Sequence, residues 1–325
     1  MVFFTVFILT LPTVTTDTDW ITSHGGRYIV NSAGDIVEIE LSSTWITDVD
    51  LTHIAKFEHV EKLALSHTRI TDAGLEHLRR LGNVRELDLY YAEYVTDSGL
   101  GHLVDWTRLE RLDLKGTKIT SRSLEHISRL INLRSLDISF TAIDDDGFEN
   151  LGSLLKLERL AIGGNRLTGS CLNFLSRLPS LVDLDVGGMQ RVDSGLWGLA
   201  LDESNLRQIG SLRHLRILRL NGANLNDRGA DRPGSPLAIR KELKNLSALK
   251  GLVNLEVLDL SCTPVNAGNL ESLISLPKLR EIRLGMAQNI EDDAVSVLAQ
   301  MKALEAVYVA GTRLTPQAMV KIRAR

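Results

Sequence analysis

One frame of hydrophobic residues recurs along most of this 325-residue chain. It reads L-x-x-L-x-L-x-x-T-x-I-T-D-x-G-L-x-x-L-x-x-L, and clear copies lie at Val60–Leu81 and Leu109–Leu130. Such a period is the signature of stacked repeats, each of which is too small to bury its hydrophobic residues alone. The first position of the frame falls on eleven residues: Ile36, Val60, Val84, Leu109, Leu133, Leu157, Leu181, Leu215, Leu255, Leu279 and Leu304.

Each part of the frame favours one kind of local structure. L-x-L alternates with a period of two, which is typical of a strand, whereas L-x-x-L-x-x-L places its leucines on one side of a helix or 3₁₀ turn. Between them, Thr71–Gly74 has the composition of a helix start, and we expect the Asp72 carboxylate to accept hydrogen bonds from the first free amides. Right-handed crossovers then predict an α/β solenoid with a parallel sheet inside and helices outside.

The ninth position of the frame is polar in most repeats, although the leucines around it predict burial. We expect its side chains to bond backbone groups of the adjacent coil, which would otherwise lack partners in the turn. The residues concerned are Thr44, Thr68, Thr117, Thr141, Asn165, Thr263 and Thr312.

These motifs resemble leucine-rich-repeat proteins, and among them the cysteine-containing-like subtype with T-D-x-G-L. That subtype occurs in the repeat halves of F-box proteins and in many bacterial, often exported, repeat proteins. The resemblance covers Ile36–Leu314 and implies a ribonuclease-inhibitor-like horseshoe of about eleven repeats that binds proteins. Residues 1–35 show no F-box-like helices, so a role in ubiquitin ligation is not supported, and Thr in place of the subtype's Cys is nearer the bacterial style.

The ends of the chain differ from the repeat. We predict a signal or tail segment at 1–19, an N-terminal cap at 20–35, repeats over 36–314 and a C-terminal cap helix at 315–325. Within the N-terminal cap we expect a short helix, a strand at Gly26–Val30 and a turn at Asn31–Asp35. Thr315 and Pro316 predict the start of the last helix, with Thr as N-cap and Pro at the first helical position.

Met1–Leu11 is the longest apolar run and is too short to span a bilayer, so we expect no integral membrane span. Its length fits the hydrophobic part of a signal peptide, but no Lys or Arg precedes it. Either a basic start lies upstream of Met1, or the run is an apolar tail. The sequence favours an exported, extracytoplasmic protein over a cytoplasmic one.

The candidate binding surface lies on the strand residues that point away from the leucines. Their central column is mostly acidic and includes Asp113 and Asp137, which makes it either a site for a basic partner or a solvated feature of the repeat. Aromatic and cationic residues flank this column over repeats three to six, and such residues are enriched at interface hot spots. The alternative is that some of the rings pack sideways over their neighbours. The predicted site comprises Tyr90, Tyr91, Tyr94, Arg111, Asp113, Lys115, Asp137, Phe140 and Arg159.

Two repeats are longer than the period. The seventh has about ten extra residues, which we place near 200–208, around Leu201–Arg207, and the eighth has about sixteen, near 229–243, around Ala230–Lys241. The prolines and glycine of the second insertion predict an irregular loop. Long insertions in a solenoid often carry binding, and they are also tolerated as neutral surface growth.

Other constellations do not support chemistry. His77, His102 and His126 share one helix position, but the spacing of neighbouring helices is too wide for a shared zinc ion. Asp144–Asp146 lacks the spacing of a calcium loop and predicts a solvated turn. Cys171 and Cys262 lie three repeats apart, beyond disulfide reach. We therefore expect no enzyme activity, no cofactor and no metal.

The predicted function is that of a monomeric, non-catalytic scaffold that binds a protein partner of unidentified type. The 37 basic and 41 acidic residues give a net charge of −4 without a basic stripe, which argues against a nucleic-acid partner. An exported, host-directed effector and a structural protein of the cell envelope are the alternatives.

Overall fold

The computed structural model describes residues 16–188, 190–192, 195–197, 199, 202–222 and 246–323. Twelve of its strands form one sheet, ordered β1 to β8 and then β11 to β14, so that its two edges lie at opposite ends of the chain and the sheet is unclosed. Over the described ranges the strands are β1 (Arg27–Val30), β2 (Ile36–Glu40), β3 (Lys62–Ala64), β4 (Glu86–Asp88), β5 (Arg111–Asp113), β6 (Ser135–Asp137), β7 (Arg159–Ala161), β8 (Asp183–Asp185), β9 (Gln190–Val192), β10 (Gly195–Trp197), β11 (Ile217–Arg219), β12 (Val257–Asp259), β13 (Glu281–Arg283) and β14 (Ala306–Tyr308).

A row of short helices and 3₁₀ turns covers the other face. Neighbouring strands are about 4.8 Å apart, whereas packed helices need about 8–10 Å, so the sheet lines the concave side. The helices are α1 (Thr16–Ser23), α2 (Leu51–Ile54), α3 (Asp72–Leu78), α4 (Asp97–Gly101), α5 (Ser123–Ile127), α6 (Leu172–Leu175), α7 (Glu203–Gly210), α8 (Ala267–Glu271), α9 (Ala294–Leu298) and α10 (Pro316–Arg323), with 3₁₀ turns at Asp48–Asp50, Phe148–Ser153 and Ser247–Gly251. None of the helices described is long and apolar enough to cross a bilayer.

The repeat frame sets the register of the sheet. Within the twelve-stranded sheet every pairing from β2 to β14 is parallel and in frame, as when Leu63 aligns with Leu87 and Leu87 with Leu112. The aligned leucines and those of the helices form one hydrophobic core, to which Trp106 and Phe148 are the largest fully buried contributors. The predicted α/β solenoid of stacked repeats with a parallel concave sheet is confirmed.

At the N-terminal end, β1 pairs antiparallel with β2 and forms the edge of the sheet. The Asn31 side chain accepts hydrogen bonds from the amides of Ala33 and Asp35, which closes the turn between the two strands. At the other end, Thr315 accepts from the amide of Ala318, and Pro316 begins α10. The segment predicted as a signal or tail lies outside the described residues up to residue 15, and its last residues belong to α1.

Of the two long repeats, the seventh can be compared with the prediction. Part of the extra length of repeat seven is the antiparallel pair β9 and β10, which follows β8. The predicted position near 200–208 overlaps the repeat's own helix, because α7 has eight residues where α6 has four. The sheet continues across the interruption, since β11 pairs with β8 and with β12. The predicted loop at Ala230–Lys241 lies outside the described residues.

Within the described residues, a carboxylate at or near the T-D position links one repeat to the next at five of the ten junctions between repeats. The expectation that Asp72 caps its own helix is wrong: Thr71 is the N-cap and accepts from the amide of Ala73. Asp72 instead accepts hydrogen bonds from both the amide (2.8 Å) and the hydroxyl (2.6 Å) of Thr96, one repeat later. The same two hydrogen bonds, from a threonine amide and hydroxyl to one carboxylate, join four further pairs: Asp48 with Thr71, Asp97 with Thr120, Asp145 with Thr168, and Asp292 with Thr315.

This carboxylate also explains the glycine of T-D-x-G-L. A Cβ atom added at Gly99 would lie 2.5 Å from Asp72 Oδ1, and one added at Gly74 would lie 2.5 Å from Asp48 Oδ1. In repeat four Ser123 takes the glycine's place, and its hydroxyl donates to Asp97. The position is therefore filled by a small residue, glycine at 74 and 99 and serine at 123.

The ninth-position side chains mostly serve their own repeat. The Thr68 hydroxyl donates to the carbonyl of Leu65 and the Thr117 hydroxyl to that of Leu114, so these two threonines do not form the expected bond to an adjacent coil. Asn165 does reach its neighbour: it accepts from the Thr141 amide at 2.8 Å and donates to the carbonyl of Ile138. The Thr141 hydroxyl also lies 3.1 Å from Asn165 Oδ1, so this amide joins the two coils through both its oxygen and its nitrogen.

A second ladder runs along the start of the strands, where Arg and Glu alternate from repeat to repeat. Arg85 lies 3.5 Å from Glu61 and 2.7 Å from Glu110, and Arg134 pairs with both Glu110 and Glu158. Farther along, Glu256 lies between Arg216 and Arg280 in the same way. Each acid in the middle of such a run pairs with two cations from different repeats, so the ladder ties successive coils together at the surface.

We predict that Asp72→Ala destabilises the protein by about 1–3 kcal/mol, because it leaves two partly buried donors of Thr96 without an acceptor. Asp105→Ala is the matched control, since Asp105 is exposed and its carboxylate has no hydrogen bond among the described residues. Urea unfolding followed by circular dichroism measures both variants. Equal midpoints for the two would contradict the assigned role of the carboxylate.

Glu110→Lys should place a third cation between Arg85 and Arg134 and lower the free energy of unfolding by about 1 kcal/mol at low salt. Because exposed charges are screened, the loss should shrink in 1 M sodium chloride. Glu305→Lys changes the same frame position in the last repeat, where no ion pair is formed within the described ranges, and should have little effect. A salt-independent loss at Glu110 would argue against an electrostatic ladder.

Candidate functional site

The nine predicted site residues do not form one patch. The sheet register divides them among the start, the middle and the end of the strands, and four residues along a strand span about 13 Å. Arg111 and Arg159 lie at strand starts, and Asp113 and Asp137 lie two residues later. The five aromatic and cationic residues at or beyond strand ends are Tyr90, Tyr91, Tyr94, Lys115 and Phe140.

The eighth position of every repeat has a left-handed backbone. This conformation costs most residues about 1–2 kcal/mol, yet six of the eleven positions carry a side chain. The amide there donates to the next repeat, as from Tyr91 to Lys115 O at 2.7 Å and from Phe140 to Gly163 O at 2.9 Å. These bonds hold the turn in place. The eleven residues, with φ between 53° and 96°, are Ser43, His67, Tyr91, Gly116, Phe140, Gly164, Gly188, Gly222, Cys262, Met286 and Gly311.

The glycines at this position make room for rings from the preceding repeats. A Cβ atom at Gly116 would lie 2.9 Å from the ring of Tyr91, so the ring packs directly over that glycine. The ring of Phe140 covers Gly164 and reaches Gly188, where added Cβ atoms would lie 2.7 Å from its atoms. The sideways packing considered from the sequence therefore occurs for Tyr91 and Phe140, and both rings remain half-buried.

Five residues at the strand ends form what we call the aromatic cluster: His67, Tyr90, Tyr91, Lys115 and Phe140. The His67 ring stacks on Tyr91 with a centroid distance of 5.5 Å, and Tyr90 meets both rings edge-on. Lys115 Nζ lies 5.5 Å from the centroid of Tyr90 and 5.2 Å from that of Phe140. The ammonium is thus held between two rings, and it forms no ion pair within the described part of the chain.

The acidic column forms a second feature, the aspartate row of Asp88, Asp113 and Asp137. These residues align on three successive parallel strands. Each carboxylate accepts a hydrogen bond from the amide two residues on, at 2.8 or 2.9 Å. The row therefore has a structural role at the strand ends, in addition to presenting charge on the concave face.

Burial, with repulsion inside the row, changes the protonation of the central aspartate. Burial raises the pKa of Asp113 to about 7, and the negative charges of Asp137 and Asp88 add to the rise, although the bond from the Lys115 amide opposes it. Burial also raises the pKa of Asp185, three strands from Asp113, against the Gly187 amide and the charge of Arg219. The central carboxylate of the row consequently changes charge near neutral pH.

The predicted cations at the strand starts are already paired. Arg111 bonds Glu86 of the preceding repeat, and Arg159 lies 3.8 Å from Asp183 of the next. Asp183 also pairs with Arg219. The aspartate row separates both arginines from the aromatic cluster. Because their charges are neutralised by Glu86 and Asp183, they do not extend the cluster as binding residues.

Tyr94 lies outside the concave cluster. Its repeat has one extra residue in the turn, and Tyr94 forms a bridge with Thr71 on the lateral edge of the solenoid. The ring is 51% exposed and carries the Lys118 ammonium 5.3 Å from its centroid. Tyr94 thus belongs to a different surface from Tyr90 and Tyr91.

The remaining candidates from the sequence were possible metal ligands, two cysteines and the acidic turn at Asp144–Asp146. Among the described residues no group of three or more His, Cys, Asp or Glu could hold a metal ion. Cys171 is buried, whereas Cys262 is exposed, and both are free thiols. The prediction of a solvated turn is wrong for Asp145, which accepts from the Cys171 amide as well as from Thr168. Burial raises its pKa, but these hydrogen bonds outweigh the effect and leave the pKa below the usual value.

Two features of the site were not predicted from the sequence: His67, and the glycines on which the rings of Tyr91 and Phe140 pack. A usable signal was present, because five of the eleven eighth positions are glycine, and glycine at a fixed repeat position indicates a positive φ. That inference would have placed His67 and Phe140 in the same turn conformation as Tyr91. It would also have shown that a ring at this position faces a glycine in the next repeat.

Comparison with known proteins addresses the family and the fold. A family profile described as "Leucine Rich repeat" matches residues 58–78, 129–152 and 211–231. The chain resembles an internalin (inlF) from Listeria monocytogenes str. 4b F2365 with a TM-score of 0.60 at 18% identity, over 87% of this chain and 70% of that one. A PEPR1–AtPEP1 structure matches with a TM-score of 0.48 at 15% identity, over 91% of this chain and 42% of that one, and carries no weight for the fold. The comparison with curated proteins gives no match.

At 18% identity the similarity to the internalin concerns the fold alone, and it agrees with the solenoid seen in the sheet. The repeat frame, the in-register parallel sheet and the profile matches agree in three parts of the chain. The chain is therefore built from leucine-rich repeats.

Proposed function

We propose that this protein is a non-catalytic scaffold that binds a partner protein on the concave face, at the aromatic cluster and the aspartate row beside it. Leucine-rich-repeat folds generally act as protein-interaction scaffolds, because stacking creates an extended concave surface. The observation that carries the proposal is the Lys115 ammonium, held between the rings of Tyr90 and Phe140.

The packing of the cluster supports an anchor role. Tyr91 and Phe140 are held against glycines and by left-handed turns, so they lose little conformational entropy when a partner docks. Tyrosine is one of the residue types that dominate interface energies, and Tyr90 and Tyr91 are both partly exposed here. The cluster thus combines rigid apolar surface with one cation that has no carboxylate partner among the described residues.

The charges suggest what the partner presents. The aspartate row would receive a cationic group, while Lys115, about two residues farther along its strand, would receive an anionic or carbonyl group. A complementary partner therefore carries opposite charges a few ångströms apart, beside an apolar or aromatic side chain. Such an arrangement fixes the docking register more than it adds affinity.

The proposal is tested with the partner captured from extracts of the source organism by the full chain. Tyr90→Ser combined with Lys115→Ser should weaken binding by about 30-fold or more, the effect of losing a hot spot. Tyr308→Ser combined with Arg283→Ser removes another exposed cation–ring pair of the concave face and is the matched control. Unchanged affinity in a Tyr90/Lys115 variant that unfolds like the wild type would contradict the site.

The aspartate row generates a prediction that needs no partner. Because the folded-state pKa of Asp113 is about 7 and the ordinary value is 3.8, the folded protein binds this proton more tightly than the unfolded chain. The stabilisation is therefore complete below about pH 4 and is lost as the pH rises through about 7. Asp113→Asn should be more stable than the wild type by about 3–4 kcal/mol near pH 8, at about 1.4 kcal/mol per pKa unit, and equal to it near pH 4. If the variant and the wild type differ in stability by the same amount at both pH values, the raised pKa is ruled out.

A further inference from the structure

A stripe of alternating aromatic and cationic side chains lies on the lateral edge of the first four repeats. It consists of Trp45, Arg69, Tyr94 and Lys118, which we call the rim stripe. Each precedes a buried Ile or Val that follows the strand-end turn. Trp45 is 79% exposed, more than any other large hydrophobic residue described, and Tyr94 is 51% exposed.

The cations of the stripe stack on its rings. The Arg69 guanidinium lies 5.1 Å from the Trp45 centroid, and Lys118 Nζ lies 5.3 Å from that of Tyr94. Neither cation forms an ion pair within the described ranges, whereas the arginines at the strand starts bridge acids of neighbouring repeats. The rim stripe is consequently a strip of uncompensated positive charge on an apolar surface. Glu93, exposed beside Tyr94, is the acid nearest to it in sequence.

The spacing of the stripe is that of the sheet. Backbone bonds join this edge from repeat to repeat: Tyr94 forms a bridge with Thr71, two residues beyond Arg69, and the Lys118 amide donates to the Val95 carbonyl at 3.0 Å. Bonded coils are about 4.8 Å apart, so the backbones that carry the two cations, like those that carry the two rings, are about 9.6 Å apart. A polyproline II helix rises about 3.1 Å per residue and repeats every three residues, so residues i and i+3 share a face about 9.3 Å apart. The spacing of every second repeat thus matches the spacing of every third residue in a polyproline II helix.

We propose that the rim stripe is a second binding surface, for an acidic segment of a partner protein in the polyproline II conformation. Carboxylates at i and i+3 would pair with Arg69 and Lys118, and the prolines between them would pack on Trp45 and Tyr94. Aromatic grooves favour such segments because the conformation is already formed before binding. The concave aspartate row repels the same ligand, so this surface does not depend on the function proposed above.

The full chain is titrated with three fluorescein-labelled twelve-residue peptides at low ionic strength, and binding is followed by fluorescence anisotropy. The probes are (Glu-Pro-Pro)₄, (Lys-Pro-Pro)₄ and a peptide of the same composition as the first with its four glutamates in one block. The first should bind most tightly, since only it presents carboxylates in the required period. Equal binding of the block peptide, or tighter binding of the lysine peptide, would overturn the proposal.

Variants locate the binding. Arg69→Ser with Lys118→Ser should weaken the glutamate–proline peptide about fivefold or more, and Glu93→Gln should strengthen it. Arg313→Ser, in the same column of the last repeat and paired with Glu291, is the matched control and should have no effect. Tyr90→Ser with Lys115→Ser should also leave this peptide unaffected, which separates the rim from the concave site. An unchanged affinity in the Arg69/Lys118 variant, or tighter binding of a twelve-residue oligo-dT than of the peptide, would refute an acidic polypeptide ligand.

Discussion

The bond between one repeat's carboxylate and the next repeat's threonine is the constraint on which the rest of this fold depends. A single repeat has apolar side chains on both of its open sides and cannot fold alone, so every repeat needs neighbours in one fixed register. Leucines are interchangeable and specify burial more than register. The two hydrogen bonds that Thr96 donates to Asp72 are lost if the register shifts, and the close approach of that carboxylate to Gly99 leaves no room for a larger side chain there.

The same stacking creates the surfaces proposed for binding. Each repeat must turn sharply after its strand, and the turn holds its eighth residue in a left-handed conformation through a bond to the next coil. Where that residue is Tyr91 or Phe140, the ring is pressed sideways over a glycine and is fixed in place. Two residues farther on, the chain reaches the lateral edge, where the rim stripe is exposed. The aromatic cluster and the rim stripe are therefore both positioned by the turn that follows each strand.

The fold could be predicted from the sequence, because the strand and helix spacings of the frame leave one way to bury the leucines. The polar positions could not, since a motif such as Thr71–Asp72 has the composition of a helix cap whether its carboxylate bonds its own helix or the next repeat. The site was predicted in part: Tyr90, Lys115 and Phe140 do come together, whereas Tyr94 is displaced to the rim by one extra residue. The pairing of Arg111 with Glu86 depends on side-chain reach between repeats, which the frame alone does not specify.

The central claim is that all repeats share one continuous core and one sheet, even across the two long repeats. Amide hydrogen exchange of the free protein tests it most directly at strand β11, which lies between the two interruptions of the period and pairs with β8 and β12. The account predicts slow exchange at Leu218 and Leu220, comparable with that of Leu184 and Leu258 on either side. Fast exchange at β11 with protected flanks would show two separate bodies and contradict the single solenoid.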